Sequence, residues 1–122
     1  MKKLIFTLAI MAGALFSVNA QKTKTIKLEQ TPGQFTETEL TLNAGKAYVF
    51  EIKNSGVDHE VGFVLTPAGK TEAKHHVKEA YVTQTVKNGE SKKSNVVVLE
   101  AGEYVYFCPL NPTPQYKITV RE

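Results

Sequence analysis

The chain has 122 residues and a formal net charge of +3 at pH 7, with 42% hydrophobic and 22% charged residues. A chain of this length makes about one domain, which excludes a multidomain enzyme. Removing Lys2 and Lys3 with a leader lowers the charge to +1, because 13 Lys and Arg then face 12 Asp and Glu. A nearly neutral domain lacks the basic surface that binds nucleic acids or acidic membranes.

Residues 1–20 have the organisation of a secretory signal peptide. Two lysines are followed by an apolar run at 4–16 and by Val-Asn-Ala at 18–20, a small-residue cleavage site. The apolar run is shorter than the roughly 18 residues of a membrane-spanning helix, and no cysteine follows it to carry a lipid. We therefore predict cleavage before Gln21, no membrane anchor on the mature protein, and a periplasmic or secreted monomer.

Residues 21–122 contain short apolar segments separated by turns, and we predict that they form one domain. The alternation is clearest at 47–53, where Tyr48, Phe50 and Ile52 share one face of a predicted strand. The predicted strands cover residues 23–29, 35–42, 47–53, 59–65, 81–87, 94–99, 103–108 and 116–121, and residues 67–80 form a short surface helix or an irregular excursion. Strands at this spacing favour an all-β fold, an antiparallel β-sandwich.

Cys108 is the only cysteine of the chain. After export, a lone thiol is buried, bound to a metal, paired with another chain or oxidised. Two interpretations stay open: a small buried hydrophobic residue at the end of a core strand, or a thiolate metal ligand. His59 has similar alternatives, because it shares a strand face with Val61, Phe63 and Leu65, yet imidazole is also a common metal ligand.

Three separated segments stand in the order found in one family of small β proteins. They are residues 35–50 around an Ala44-Gly45 turn, residues 54–63 with Asn54, His59 and Phe63, and residues 102–120 with Cys108-Pro109. The chain resembles the cupredoxins, a family that includes plastocyanin, azurin and amicyanin, over nearly all of residues 23–121. The resemblance implies a Greek-key antiparallel β-sandwich in which strand ends and loops meet at one pole.

The resemblance also implies a copper site with an incomplete set of ligands. Cupredoxins bind copper through two His, one Cys and usually a weak axial Met. By position, His59 matches the first His and Cys108 the thiolate, whereas the other two places hold Asn111, a poor donor, and Pro114, which has none. Such a site favours Cu(I) over a blue Cu(II) centre, because Cu(I) accepts few and soft donors.

Other side chains are weaker candidates for a third ligand. His75 and His76 are adjacent, and adjacent residues point in different directions on a helix or a strand, which favours a solvated polar stretch. One of them nevertheless stays a candidate for reaching the site from the 67–80 excursion. Glu60 and Gln115 offer oxygen donors, although no spacing singles them out.

Two functions therefore stay open. The first is copper binding in electron transfer or copper handling, with a redox or copper-transfer protein as partner. The second is a metal-free module that binds a protein or a carbohydrate through its stiff proline-rich loop, at Pro109, Leu110, Pro112 and Pro114. We expect no enzymatic activity, because the chain has no phosphate-binding glycine loop, no CxxC pair and no recognisable Ser-His-acid spacing.

Overall fold

The alternating residues of segment 47–54 form a central strand of one sheet. Residues 23–122 are the part of the chain that the computed structural model describes, so the signal peptide predicted at 1–20 lies outside it. In this strand Tyr48, Phe50 and Ile52 are at most 2% exposed, whereas Lys53 faces solvent. The period of two separates core from surface, as predicted.

Nine strands are present within residues 23–122. They are β1 Lys24–Thr31, β2 Gln34–Phe35, β3 Glu39–Asn43, β4 Ala47–Asn54, β5 Val64–Pro67, β6 Ser91–Lys93, β7 Val97–Val98, β8 Gly102–Phe107 and β9 Tyr116–Arg121. Two single 3-10 turns, Ala73–His75 and Lys78–Ala80, lie in the segment 67–80, for which a short surface helix or an irregular excursion was predicted. No helix within the described range is long and apolar enough to cross a bilayer.

The strands form two sheets that pack face to face. The first has the order β2-β1-β4-β6, with β7 also pairing with β4, and the second has the order β3-β9-β8-β5. The predicted β-sandwich is thus confirmed. The β1–β4 and β3–β9 pairs are parallel, whereas the other pairs are antiparallel. The parallel β1–β4 pair arises because the chain passes through β3 in the other sheet between them, as a crossover connection requires.

An aromatic cluster fills the space between the sheets. Tyr106 is fully buried, its ring centroid lies 5.0 Å from that of Phe35 in an edge-to-face contact, and 5.9 Å from that of Phe63. The Tyr106 hydroxyl donates to the carbonyl of Glu37. Because alternate residues of a strand face the same side, Cys108 follows Tyr106 into this interior.

The predicted strand at 59–65 begins only at Val64. Val61, Phe63 and Leu65 are buried, but His59 is exposed and does not share their face. Apart from the bridge between Val61 and Val86, side chains take backbone groups of residues 59–62 that a regular ladder would use. Asn54 Nδ2 donates to the His59 carbonyl at 2.9 Å, and the backbone N–H of Gly62 donates to a sulfur.

The chain between β5 and β8 also differs from the prediction. The strand predicted at 81–87 is absent, and isolated bridges pair Val61 with Val86 and Val82 with Ser94. The strand predicted at 94–99 is reduced to the two residues of β7, while β6 forms earlier along the chain. The segment predicted at 35–42 is split between β2 and β3. Polar residues at 83–95 leave these segments few apolar contacts with which to extend a strand.

Candidate functional site at the loop pole

The loop pole is the end of the sandwich formed by residues 30–33, 55–62 and 108–115. Strands β1, β4 and β8 end there, and β5 and β9 begin there. Cys108 directly follows β8, and His59 lies five residues after the end of β4. The strand order therefore brings both predicted ligands to the same pole.

Cys108 is a free cysteine whose side chain is buried, at 1% exposure. Its Sγ accepts hydrogen bonds from the backbone N–H of Gly62 at 3.3 Å and of Asn111 at 3.2 Å. Its own backbone N–H donates to Thr113 Oγ1 at 3.2 Å. Two N–H donors aimed at one sulfur suit a negatively charged thiolate as well as a thiol.

The imidazole of His59 lies at the surface, and its Nδ1 donates to the carbonyl of Glu60 at 3.0 Å. The preceding loop is fixed by Asn54, which bonds both the His59 carbonyl and the backbone N–H of Val57. The residue of this loop that contacts the Cys108 sulfur is Gly62. The structure thus brings the His59 backbone, but not its ring, to the buried side of the pole, and a joint role of His59 and Cys108 as ligands stays a prediction.

Asn111, a weaker ligand candidate, is buried and has its side chain committed elsewhere. Nδ2 donates to Gln30 Oε1 at 3.1 Å and to the Thr31 carbonyl at 3.0 Å, and Oδ1 accepts from the Gly33 N–H at 2.8 Å. Both amide hydrogens therefore point at the end of β1, and the amide oxygen accepts from the turn between β1 and β2. The Asn111 side chain anchors the proline-rich loop to this turn and is not free to bind a metal.

Gln30 is the residue of the pole that sequence analysis missed. It is fully buried, and its Nε2 donates to the Gly62 carbonyl at 2.7 Å. With the two bonds to sulfur and the Gln30–Asn111 bond, a closed ring of hydrogen bonds joins Cys108, Gly62, Gln30 and Asn111. A polar residue at an inward position of a strand, after Ile26 and Leu28, is the sequence signal that marks it.

The other candidate histidines lie on the outer side of the second sheet. His76 Nδ1 accepts from the Tyr81 hydroxyl at 2.7 Å, and Nε2 donates to the Thr71 carbonyl at 2.8 Å. The ring packs edge-on against Phe107, which points away from the side occupied by Cys108. His75 contacts Glu72, with 3.8 Å between Nε2 and Oε1. Neither imidazole is brought to the sulfur.

The proline-rich loop forms the surface of the pole. Pro109, Pro112, Pro114 and Gln115 are exposed, and Leu110 is an exposed large hydrophobic residue at 47%. The Leu110 Cδ1 atom would lie 3.9 Å from a Cβ placed on Gly62. Beside the loop is a cleft of about 340 Å³, lined by Gly62, Phe63, Val64, His76, Tyr81, Val82, Thr85 and Pro109.

These donors do not fit a four-ligand blue copper centre. Cys108 supplies a soft donor, but the amide of Asn111 is fully bonded, Pro114 has no donor, and the His59 ring lies at the surface. Within residues 23–122 no three His, Cys, Asp or Glu side chains gather into a group that would hold a metal ion.

Comparison with known proteins settles the family. The model of the family described as cupredoxin-like domain matches residues 4–120. The chain belongs to the cupredoxin-like family. The match confirms the resemblance to cupredoxins that the sequence segments indicate. A search of curated proteins gave no match.

Solved structures agree with this assignment. Auracyanin A, a blue copper protein from Chloroflexus aurantiacus, is similar with a TM-score of 0.66 and 20% identity, over 81% of this chain and 99% of that chain. Reduced auracyanin from Roseiflexus castenholzii has a TM-score of 0.63 and 16% identity, over 80% and 96%. Amicyanin from Paracoccus versutus has a TM-score of 0.50 and 15% identity, over 79% and 80%. At these identities the likeness establishes a shared fold.

Proposed function

We propose that this cupredoxin acts outside the cytoplasm as a protein-binding module whose contact surface is the loop pole, without a blue copper centre. The observation that carries the proposal is the exposed Leu110 beside an apolar-walled cleft. A few side chains in well-packed, desolvated pockets carry most of the binding energy of a protein–protein interface, and the loop pole offers both an exposed apolar side chain and a pocket. Export rests on the signal-peptide pattern of residues 1–20.

The chemistry of the cleft favours a protein over a carbohydrate. A sugar needs free hydrogen-bonding groups that fix its hydroxyls. In the cleft, His76 and Tyr81 bond each other, the second nitrogen of His76 is bonded to Thr71, and the Thr85 hydroxyl donates to Glu60. The surface that is left is mainly apolar and suits an apolar side chain of a partner protein.

The loop is also stiff enough to bind without a large loss of conformational entropy. Three prolines restrict the backbone between Cys108 and Gln115. Thr113 adds local bonds, because its Oγ1 accepts from the Cys108 N–H and donates to the Pro114 carbonyl at 2.8 Å. Preorganised surfaces bind more tightly because less freedom is lost on association.

Copper handling or electron transfer is the second candidate function, and the two N–H donors on Cys108 Sγ are compatible with it because they suit a thiolate. In this proposal Cys108 supplies a thiolate and His59 an imidazole, and a redox or copper-transfer protein is the partner. His59 lies three residues from Gly62, a span of at most about 10 Å along the chain. Rotation of its exposed side chain towards the Cys108 sulfur is the movement that this candidate requires.

Anaerobic Cu(I) titration against a competing chelator separates the two candidates. The test uses residues 21–122 of the wild type, Cys108→Ser and His59→Ala. For the proposed protein-binding module we expect the three affinities to agree within about threefold, which is less than 1 kcal/mol. A wild type that binds Cu(I) about 100-fold more tightly than both variants establishes the copper function and contradicts the metal-free proposal.

Leu110→Asp tests the docking surface. We expect it to weaken partner binding by about 30-fold or more, because a charge replaces an apolar anchor. The matched control is Val98→Asp, which places the same charge on a 59% exposed valine paired with the start of β4, away from the loop pole. The measurement is affinity capture from the extracytoplasmic fraction, followed by titration of the captured protein. Equal binding by Leu110→Asp and the wild type contradicts the proposal.

A further inference from the structure

The hydrogen-bond ring at the loop pole joins three segments that are distant along the chain. Gln30 is the last inward-facing residue of β1, Gly62 lies just before β5, and Cys108 and Asn111 lie at the start of the proline-rich loop. We infer that this ring holds the loop pole in shape without a metal, and that Gln30 is its positioning residue. The absence of a metal rests on the proposed function, whereas the role of Gln30 does not depend on what the pole binds.

Gln30 connects the two segments that also meet at the sulfur. Its Nε2 bonds the carbonyl of Gly62, its Oε1 accepts from Asn111, and its backbone carbonyl accepts from the N–H of Ser55 at 2.8 Å. The Gln30 side chain thereby fixes the Gly62 end of the 55–62 loop and the start of the proline-rich loop, and the Gln30 backbone fixes the Ser55 end. Buried polar groups of this kind are expensive to leave unbonded, so the three segments are held together.

The ring also accounts for Cys108 without a metal ion. Both N–H groups that point at Sγ are backbone groups of residues that Gln30 holds in place. The sulfur is the acceptor that satisfies these two buried donors. A buried cysteine that accepts these two hydrogen bonds is a structural residue, in agreement with the frequent burial of free cysteine.

The ring determines where Leu110 is presented. Leu110 lies between Cys108 and Asn111, both of which are ring members, and its side chain approaches Gly62, the third member. Release of Gln30 is therefore expected to loosen the apolar surface while leaving the strands paired.

The first test is thermal unfolding of residues 21–122 with Cu(I), with Cu(II) and with a chelator. We expect the three melting temperatures to agree within about 2 °C with that of untreated protein, because no metal contributes to the folded state. A ligand at 100 times its dissociation constant raises the melting temperature of a domain of this size by about 10 °C or more. A rise of that size with either copper ion overturns the metal-free part of the inference, and the exchange test below decides the role of Gln30 separately.

The second test is amide hydrogen exchange, followed by NMR, in Gln30→Leu. We expect the protection of the Gly62 and Asn111 amides to fall about 100-fold relative to the amide of Tyr106 in β8. The control is Ser94→Ala, which removes another buried hydrogen bond, to the Phe50 N–H, and lowers stability without changing that ratio. An unchanged ratio in Gln30→Leu contradicts a positioning role for Gln30.

Gln30→Glu keeps the test decisive if Gln30→Leu does not fold. A protonated carboxyl group donates to the Gly62 carbonyl and accepts from Asn111, as the amide does, whereas the ionised form cannot donate. Protection of the Gly62 and Asn111 amides, corrected for intrinsic exchange, is therefore expected to be near wild type at low pH and to fall as the introduced carboxyl ionises. A protection ratio that does not change with pH contradicts the inference.

Discussion

Tyr106→Ala is expected to lower the free energy of unfolding by about 3–5 kcal/mol, the usual cost of truncating a buried aromatic side chain. Tyr106 is fully buried and packs its ring against Phe35, Phe63 and Tyr116. Alanine would leave a cavity between the two sheets, two residues before Cys108. Urea denaturation of the wild type and the variant, compared at equal slope, is the measurement.

Tyr106→Phe is the matched control, because it keeps the ring and removes only the hydroxyl that bonds Glu37. We expect it to cost about 1 kcal/mol, the net value of one hydrogen bond. Equal losses in the alanine and phenylalanine variants would show that the hydroxyl, and not the aromatic packing, stabilises this part of the core.

The same control has a distinct pH dependence. Burial, together with the nearby Glu37, raises the pKa of Tyr106 above its usual value of 10.0. Above pH 10 the unfolded chain loses the phenolic proton that the folded protein keeps, so stability falls as the pH rises. We expect Tyr106→Phe to lose less stability than the wild type above pH 10, and to show no such difference between pH 6 and about pH 9, where both states keep the proton.

Asn111→His combined with Pro114→Met is expected not to create a blue copper centre, although it restores the residue types that cupredoxins use. The side chain at position 111 points to the β1–β2 turn, where it bonds Gln30, Thr31 and Gly33. Imidazole at this position breaks those bonds, and we expect a loss of about 3–5 kcal/mol, because several buried groups become unsatisfied.

Copper titration followed by visible absorption, together with urea denaturation, checks this expectation. Pro114→Met alone is the control, because Pro114 is exposed and its replacement leaves the ring of hydrogen bonds intact. An intense thiolate-to-copper band in the double variant would show that the loop rearranges to direct position 111 towards Cys108, which contradicts the orientation described above.

Local sequence pattern predicts the strands where one face alone is buried. The alternation in β4, the turn before it and the strand before Cys108 all appear where they were expected. The prediction fails at 81–87, because the chain there makes only isolated bridges and polar residues give it few contacts. It also fails at His59, because the loop before Gly62 is shaped by Asn54, whose bonds no alternation of residues indicates.

The sequence by itself determined the sandwich, its kinship with cupredoxins and the position of Cys108 at a strand end. These three conclusions depend on the periodicity of apolar residues and on the order of the segments. Both can be read along the chain without knowledge of its three-dimensional contacts. Only the tertiary structure decided that the His59 ring lies at the surface and that Asn111 turns towards the β1–β2 turn. Asn111 finds its partners 78 to 81 residues away, and the direction of a side chain depends on such distant partners, which the neighbouring residues do not encode.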